Sequence, residues 1–300
     1  MLNRRSFLAS AGASLSAPLV YAQSKPLVRL GLVADAQYAD IDPLGTRFYR
    51  NSVGKLGTAV EDFNKRDLDL CVHLGDLIDR KWESFDTIKK PLMALRHPIR
   101  HLFGNHDFDV LDEQKEKVPG QMGLEKRYSF TDKGGFRLVF LDTTDVSTYA
   151  HALRDDRTFQ AVREMTALEQ QGRPHAQPWN SAIGPAQMAW LKATCAEAAG
   201  KGMKVVLFAH HPVYPANTHN LWNDAEMMAF AEANRNVVAW INGHNHQGNF
   251  GVKAGVPYVT LQGMVETADT TAYAFADLHA DRIVLTGVGR IPPRELVFRS

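Results

Sequence analysis

Side chains that bind divalent cations occur at five places in this sequence, each just after a short apolar run. They are Asp35 with Gln37, Asp76, Asn105, His210, and His244 with His246. Oxygen and imidazole ligands without thiolates suit Mn, Fe, Zn or Mg ions, whereas structural zinc sites are rich in cysteine. Each motif alone is weak, because a His-Asn-His stretch is more often a loop than a site. All five together, in this order, indicate one metal site.

Asp76 is the candidate centre of that site. The stretch from Asp69 to Arg80 begins as an apolar run typical of a buried strand and turns at Gly75-Asp76. An aspartate there lies at the carboxyl edge of a sheet, where α/β folds place their ligands. Its two oxygens can bridge two cations, which predicts a dinuclear site. The alternative for Gly75-Asp76 taken alone is an ordinary turn that ends a strand.

The apolar runs that precede these side chains predict the strands of an α/β fold. Predicted strands cover 27–34, the run before Asp76, 99–103, 136–141, 205–208 and 237–241, with β-like alternation over 258–261, 273–278 and 282–287. Predicted helices cover 47–65 and 84–95. Residues 143–204 form a long insertion that favours helix over 158–171 and 184–199. Such an insertion either shapes a substrate pocket or supports the fold.

Composition limits the class of protein. The chain has 300 residues and a net charge of +1, which gives no reason to expect nucleic-acid or membrane-surface binding. The sequence contains no repeat or inter-domain linker, so residues 23–300 are predicted to form one domain. The two cysteines, Cys71 and Cys195, fall in a predicted strand and a predicted helix. Both are expected to be buried and unpaired.

The first 22 residues resemble an export signal. Arg4-Arg5 followed by Phe7-Leu8 precedes a weakly apolar stretch, and Val20-Tyr21-Ala22 has the small residues that a signal peptidase cuts. The stretch is too short to span a bilayer. This pattern resembles a twin-arginine signal, which implies delivery by the twin-arginine export machinery and a periplasmic or otherwise exported mature protein without a membrane anchor. An ordinary signal peptide or a disordered N-terminus is the alternative.

The order of the motifs, D-x-[HQ], G-D-x-x-D, G-N-H-[DE], H-x-P and G-H-x-H, resembles that of the calcineurin-like metallophosphoesterases. The resemblance runs from about Leu27 to the C-terminus. It implies a four-layer α/β/β/α sandwich with a dinuclear metal site at the carboxyl ends of the strands. It also implies an enzyme that hydrolyses phosphate esters or phosphoanhydrides.

The resemblance assigns roles to individual residues. It places Asp35, Gln37, Asp76 and His246 on one metal, and Asp76, Asn105, His210 and His244 on the other. By the same resemblance, His106 is similar to the family's proton donor to the leaving oxygen. Asp79 would orient His106, and Arg80 stands where some members bind phosphate.

Gln37 makes the chain resemble one branch of this superfamily in particular, since most other members have histidine at this position. An amide oxygen is a harder ligand than imidazole, so Mn²⁺ is favoured over Zn²⁺. Together with matches at 48–50, 61–65, 212–215, 221–223, 262–267 and 287–292, Gln37 makes the chain similar to the manganese-dependent ADP-ribose/CDP-alcohol diphosphatases. That branch implies hydrolysis of nucleoside diphosphates linked to a sugar or alcohol, with release of a nucleoside monophosphate.

Further side chains lie just beyond the strand ends that carry ligands. Tyr38, Tyr214, Trp222 and Asn223 could contact the base or ribose of a nucleotide, and packing at the rim of the site is the alternative for each. Two other functions stay open. One is a phosphatase for monoesters or cyclic diesters, and the other is a non-catalytic scaffold, which the complete set of ligands disfavours.

Overall fold

The computed structural model describes residues 25–299. The predicted signal peptide, residues 1–22, lies outside the described residues. The strands are β1 Val28–Val33, β2 Leu70–His73, β3 Ile99–His101, β4 Ser129–Lys133, β5 Phe136–Phe140, β6 Val146–Ser147, β7 Ser181–Ala182, β8 Lys204–Phe208, β9 Val237–Asn242, β10 Asn249–Lys253, β11 Val256–Thr260, β12 Ala272–Leu278, β13 Arg282–Gly289 and β14 Arg294–Val297. The α-helices are α1 Ser52–Asn64, α2 Ser84–Ile88, α3 Asp112–Lys115, α4 Val118–Gln121, α5 Asp156–Gln170, α6 Pro185–Gly200 and α7 Asp224–Ala233. Short 3-10 helices cover Tyr49–Asn51, Pro91–Ala94 and His106–Phe108.

Two six-stranded sheets form the centre of the fold. The first has the order β14-β13-β12-β1-β2-β3, and the second has the order β10-β11-β9-β8-β5-β4. In the first sheet β1, β2 and β3 run parallel, and in the second β5, β8, β9 and β11 do so. The antiparallel strands lie toward the sheet edges, apart from β12, which pairs with β1.

The sheets pack face to face through alternate side chains of their strands. Leu30 and Leu32 of β1 meet Phe140, Phe208 and Ile241 of the second sheet in one buried cluster. The outer face of the first sheet packs on α1 and α2, and that of the second packs on α6 and α7. The layers are therefore helix, sheet, sheet and helix, as the resemblance implies.

The structure differs from the predicted elements at one predicted helix and in several elements that were not predicted, among them α7, β4, β10 and β14. The helix predicted over 84–95 is split into α2 and a 3-10 turn, because Pro91 supplies no N–H donor to continue an α-helix. Strand β4 was not predicted. It is an edge strand whose side chains are mostly exposed, so its sequence lacks the apolar signal of a buried strand.

Residues 143–204 do not behave as one unit. Helix α6 connects parallel strands β5 and β8 and packs on the second sheet, as a regular crossover helix does. Residues 146–182 lie outside the two large sheets and contain the β6–β7 ribbon and α5. The cysteines behave as predicted, since both Cys71 and Cys195 are free and buried.

None of the helices within residues 25–299 combines the length and the apolar character that crossing a bilayer would require.

Candidate active site

The structure brings the predicted metal-binding side chains together at the carboxyl ends of the parallel strands. Ligand atoms of Asp35, Asp76 and His246 lie within 4.8 Å of one another. The Gln37 amide nitrogen lies 2.8 Å from Asp76 Oδ2 and 3.1 Å from His246 Nε2. This group comes from the ends of β1, β2 and β9, so three strands of two sheets contribute to it.

A second group adjoins the first through Asp76. His210 Nε2 lies 3.4 Å from Asp76 Oδ2, and the His210 and His244 rings are 4.9 Å apart. Asn105 lines the same cavity as Asp76 and His244. Asp76 therefore lies between the two groups, as a bridging ligand must.

The backbone is strained at several of the candidate metal ligands. Asp35, Gln37, Asp76 and His244 have φ angles of 52°, 43°, 58° and 70°, in the left-handed region that non-glycine residues rarely adopt. Such strain persists only where the surrounding structure imposes it, and it clusters at functional sites. Four of the seven candidate ligands are held in this way.

Two glycines allow the chain to approach the carboxylates. A Cβ on Gly104 would lie 2.1 Å from Asp76 Oδ1, and a Cβ on Gly243 would lie 2.6 Å from Asp35 Oδ2. Any side chain at either position would displace a candidate ligand, which explains why both ligand-bearing turns contain glycine.

The polar atoms of the cluster suit a cation. Gln37 Oε1, Asn105 Oδ1 and His210 Nε2 are buried and have no hydrogen-bond partner within the described residues. Buried polar atoms are normally paired, and each of these three atoms can offer a lone pair to a divalent ion, Gln37 Oε1 once the amide turns its oxygen toward Asp76 in place of its nitrogen. The residues present therefore fit a dinuclear centre with oxygen and imidazole ligands.

Surrounding groups orient the ligands. His210 Nδ1 donates to the Leu74 carbonyl at 2.7 Å, which leaves Nε2 free to face Asp76. His246 Nδ1 lies 2.7 Å from Glu266 Oε1. Such partners fix the tautomer and orientation of metal-binding histidines. Burial and neighbouring imidazoles lower the pKa of His244 well below its usual range, so its ring is neutral at pH 7.

Asp107 shapes the turn that carries Asp76. Its buried carboxylate accepts hydrogen bonds from the backbone N–H groups of Asp76, Leu77, Ile78 and Gly104 at 2.8–3.3 Å. The residue follows the Asn105-His106 pair in sequence, and sequence reasoning gave it no role. Its acidic side chain one residue after a candidate catalytic histidine was the available signal.

His106 lies at the edge of the cluster with Asp79 behind it. His106 Nδ1 is 3.1 Å from Asp79 Oδ1, and the Asp79 side chain is fully buried. His106 itself is partly exposed and lines the cavity above the candidate ligands. The arrangement leaves Nε2 of His106 available to a bound molecule, as a proton donor requires.

The cavity above the cluster has a volume of about 370 Å³. Besides the candidate ligands and His106, Arg47, Trp179 and His219 line it. Sequence reasoning missed these three residues, because none of them follows a predicted strand directly. The Trp179 side chain is 42% exposed, an unusual state for a tryptophan, and Arg47 supplies a cation.

The structure does not bring the predicted substrate contacts to this cavity. Tyr38 and Trp222 are buried in apolar clusters, and Tyr214 packs against Tyr258. Asn223 hydrogen-bonds Ile183 and lines a different cavity. These four side chains therefore pack within the fold or line another cavity, and none of them lines this one.

Arg80 lies beside the site without lining its cavity. Its Nε donates to Asp79 Oδ2, and its side chain faces a neighbouring cavity of about 490 Å³. In this structure Arg80 therefore acts on Asp79, which in turn contacts His106.

His211 is the remaining histidine of the cluster, and it is not a candidate ligand. Its Nε2 lies 3.3 Å from the Trp179 carbonyl and its Nδ1 lies 2.9 Å from Thr143 Oγ1, so both ring nitrogens have partners.

The four-layer fold and the cluster of candidate metal ligands together define one class of protein. The chain belongs to the calcineurin-like phosphoesterase family, whose family model matches residues 29–248. It is a metal-dependent hydrolase of that family.

Curated relatives cover most of the chain. The manganese-dependent ADP-ribose/CDP-alcohol diphosphatase of Mus musculus is 27% identical, over 92% of this chain and 95% of the relative. The human protein of the same name is 28% identical, over 92% of this chain and 94% of the relative.

Solved structures agree on the fold. A dimetal phosphatase from Danio rerio superposes with a TM-score of 0.82 at 25% identity, over 92% of this chain and 100% of that one. The Plasmodium inner-membrane-complex anchor GAP50 superposes with a TM-score of 0.55 at 12% identity, over 92% of this chain and 90% of that one, which shows a shared fold only.

Proposed function

We propose that this protein is a dinuclear, manganese-dependent hydrolase of the phosphoanhydride bond in nucleoside diphosphates linked to a sugar or alcohol. One observation carries the proposal. A single cavity joins the candidate metal ligands to a proton donor, a cation and an exposed tryptophan, namely His106, Arg47 and Trp179. The names of the curated relatives support the same reaction.

The ligand sets divide as the motif order suggests. Asp35, Gln37, Asp76 and His246 would hold one ion. The other would be held by Asp76, Asn105, His210 and His244. When bound, the two divalent cations would polarise the phosphoryl group and supply the hydrolytic nucleophile near neutral pH. Gln37 gives the first set an amide oxygen in place of an imidazole, which favours Mn²⁺.

Charge balance favours a diphosphate. Two divalent cations against the carboxylates of Asp35 and Asp76 leave about two positive charges uncompensated, and Arg47 adds a third on the cavity wall. Glu266 lies 3.8 Å from the Arg47 guanidinium and offsets part of that charge. A diphosphate brings matching negative charge, and charge-assisted hydrogen bonds to arginine would orient it.

His106 would complete the hydrolysis. As the P–O–P bond breaks, water contributes an oxygen to one phosphorus, and His106 gives its proton to the oxygen that leaves with the other phosphate. Asp79 would hold the His106 ring in position through the contact at Nδ1. A second cavity of about 370 Å³, lined by His106 and Tyr149 among others, adjoins the first and offers room for the leaving half.

Trp179 provides an apolar face for the nucleoside. It lines both adjoining cavities, so a base or ribose stacked on it would keep the diphosphate near the candidate ligands. Exposed aromatic side chains that contact water in the free protein are typical of ligand sites. Trp179 thus replaces the aromatic residues that the sequence suggested.

The proposed reaction is tested by a substrate panel in excess Mn²⁺. ADP-ribose, CDP-glycerol and CDP-choline are compared with p-nitrophenyl phosphate and bis-p-nitrophenyl phosphate. We expect nucleoside monophosphate release with kcat/KM well above the value for either nitrophenyl ester. If the nitrophenyl monoester is the best substrate, the general phosphatase function replaces the diphosphatase.

We also propose that the mature protein acts in the periplasm or outside the cell after twin-arginine export. The Arg4-Arg5 pair supports this, and replacing both with lysine should leave uncleaved precursor in the cytoplasm. Mature protein outside the cytoplasm in that variant would argue for another export route.

A further inference from the structure

We infer that Asn180 is a positioning residue for the second metal, because it forces His244 to present Nδ1 as its metal-binding atom. Asn180 belongs to the segment outside the two large sheets, and it immediately precedes β7. The sequence offers no motif that marks it. The inference rests on the two-metal assignment of the proposed function.

The Asn180 side chain is fully buried, and its amide has one orientation. Its Nδ2 donates to the His175 carbonyl at 2.9 Å and to the Thr218 carbonyl at 2.8 Å. Carbonyl oxygens only accept hydrogen bonds, so the NH₂ group must face them. The Oδ1 atom is therefore directed away from both.

That oxygen faces His244. Asn180 Oδ1 lies 2.9 Å from His244 Nε2, and an amide oxygen can only accept. His244 must then carry its proton on Nε2, which leaves the lone pair on Nδ1. With Nε2 engaged by the Asn180 oxygen, Nδ1 is the one nitrogen of His244 that can bind a cation.

The backbone of His244 is fixed as well. Its N–H lies 3.1 Å from both carboxylate oxygens of Asp35, and its φ angle is 70°. The main chain is thus tied to the first metal group, while Asn180 sets the ring for the second. Rotation of the ring would break the hydrogen bond to a buried acceptor.

Asn180 therefore links the outlying segment to the metal centre. Its two carbonyl partners lie on residues 175 and 218, so it joins that segment to the loop after β8. The sequence left open whether residues 143–204 shape a pocket or support the fold. At Asn180 the segment takes part in metal binding.

The chain offers a matched control in Asn220. This asparagine is also fully buried, and its Nδ2 donates to the Val213 carbonyl at 2.9 Å and to Asp224 at 3.1 Å. Its Oδ1 accepts from Asn217, and it hydrogen-bonds none of the candidate ligands. Asn220→Ala removes an equivalent amide without touching His244.

The test is a titration of the purified full chain with Mn²⁺, in which electron paramagnetic resonance measures the free ion. Asn180→Ala should weaken the second Mn²⁺ by about 10–100-fold and leave the first unchanged, the usual effect of losing a partner of a metal ligand. Asn220→Ala should bind both ions like the wild type. Turnover of Asn180→Ala should recover at high Mn²⁺, and adding Asn180→Ala to His244→Ala should cause no further loss.

Nitrogen-15 NMR of the wild-type histidines tests the inference without a variant. The metal-free protein should show His244 as the Nε2–H tautomer, and an Nδ1–H tautomer would overturn the inference even if Asn180→Ala fails to fold. Equal weakening of both ions, no weakening, or the same change in Asn220→Ala would also overturn it. A wild-type chain that binds no Mn²⁺ would instead overturn the proposed function.

Discussion

Replacing Asp76 by asparagine removes the charge that the two metal groups share. The side chain is fully buried, and its Oδ1 and Oδ2 accept hydrogen bonds from the His106 N–H and the Gln37 amide, each at 2.8 Å. An asparagine must place its NH₂ group against one of these donors. Asp76→Asn therefore loses a bridging oxygen and creates a donor facing a donor.

The expected magnitude follows from these contacts. One unsatisfied buried donor costs about 1–3 kcal/mol. Loss of a preorganised charge at the reacting phosphoryl group costs about 10²–10³ in rate by itself. Because Asp76→Asn weakens both candidate metal sites as well, we expect activity to fall at least about 10³-fold, or about 4 kcal/mol.

The assay combines metal analysis of the gel-filtered protein with initial rates over a Mn²⁺ titration. Asp142→Asn is the matched control, because Asp142 is fully buried and pairs with Arg127, outside the candidate ligands. The control should retain both metals. Near-wild-type turnover of Asp76→Asn with full metal content would refute the bridging role.

Three further predictions follow from the site and from the outer face of the second sheet. His106→Ala should keep both metals and lose about 10²–10⁴ in rate, with a smaller loss for substrates that have good leaving groups; a missing ion would make His106 a ligand. Gln37→His should reduce the preference for Mn²⁺ over Zn²⁺ in a metal-activation series, and an unchanged preference would contradict the argument from the amide. Arg137→Ala should lower the midpoint of urea unfolding, since the fully buried guanidinium packs inside the fold, donates to Asp132 at 2.7 Å and lies 3.1 Å from Glu197. Hydrogen bonds from Lys201 and then Arg137 lower the pKa of Glu197 from 4.5 to about 2. The stability that the ionised Glu197 contributes is therefore complete above pH 4.5 and is lost as pH falls through about 2. This acid-induced loss of stability should be smaller in Arg137→Ala, and an unchanged pH dependence of unfolding would contradict the pairing of Arg137 with Glu197.

The main strands and the candidate ligands that follow them could be predicted from the sequence because both depend on local patterns. An apolar run predicts a strand, and parallel strands in one sheet bring their carboxyl ends to the same edge. Asp35 and Asp76 therefore had to lie near each other once the runs before them formed neighbouring strands, whereas His210 follows a strand of the second sheet and reaches them only because the two sheets pack together. The helix over 84–95 and the missed strand β4 are errors of the same local kind, since a proline and an exposed edge each changed the expected pattern.

The sequence by itself determined which chemical groups the site contains and the order in which strand ends deliver them. Only the tertiary structure decided which other side chains reach the cavity. Arg47 and Trp179 line it, whereas Tyr38 and Trp222 pack inside the fold. Asn180 meets His244 across 64 residues of sequence. The physical reason is that loop side chains take their direction from packing between distant segments, which no local periodicity records.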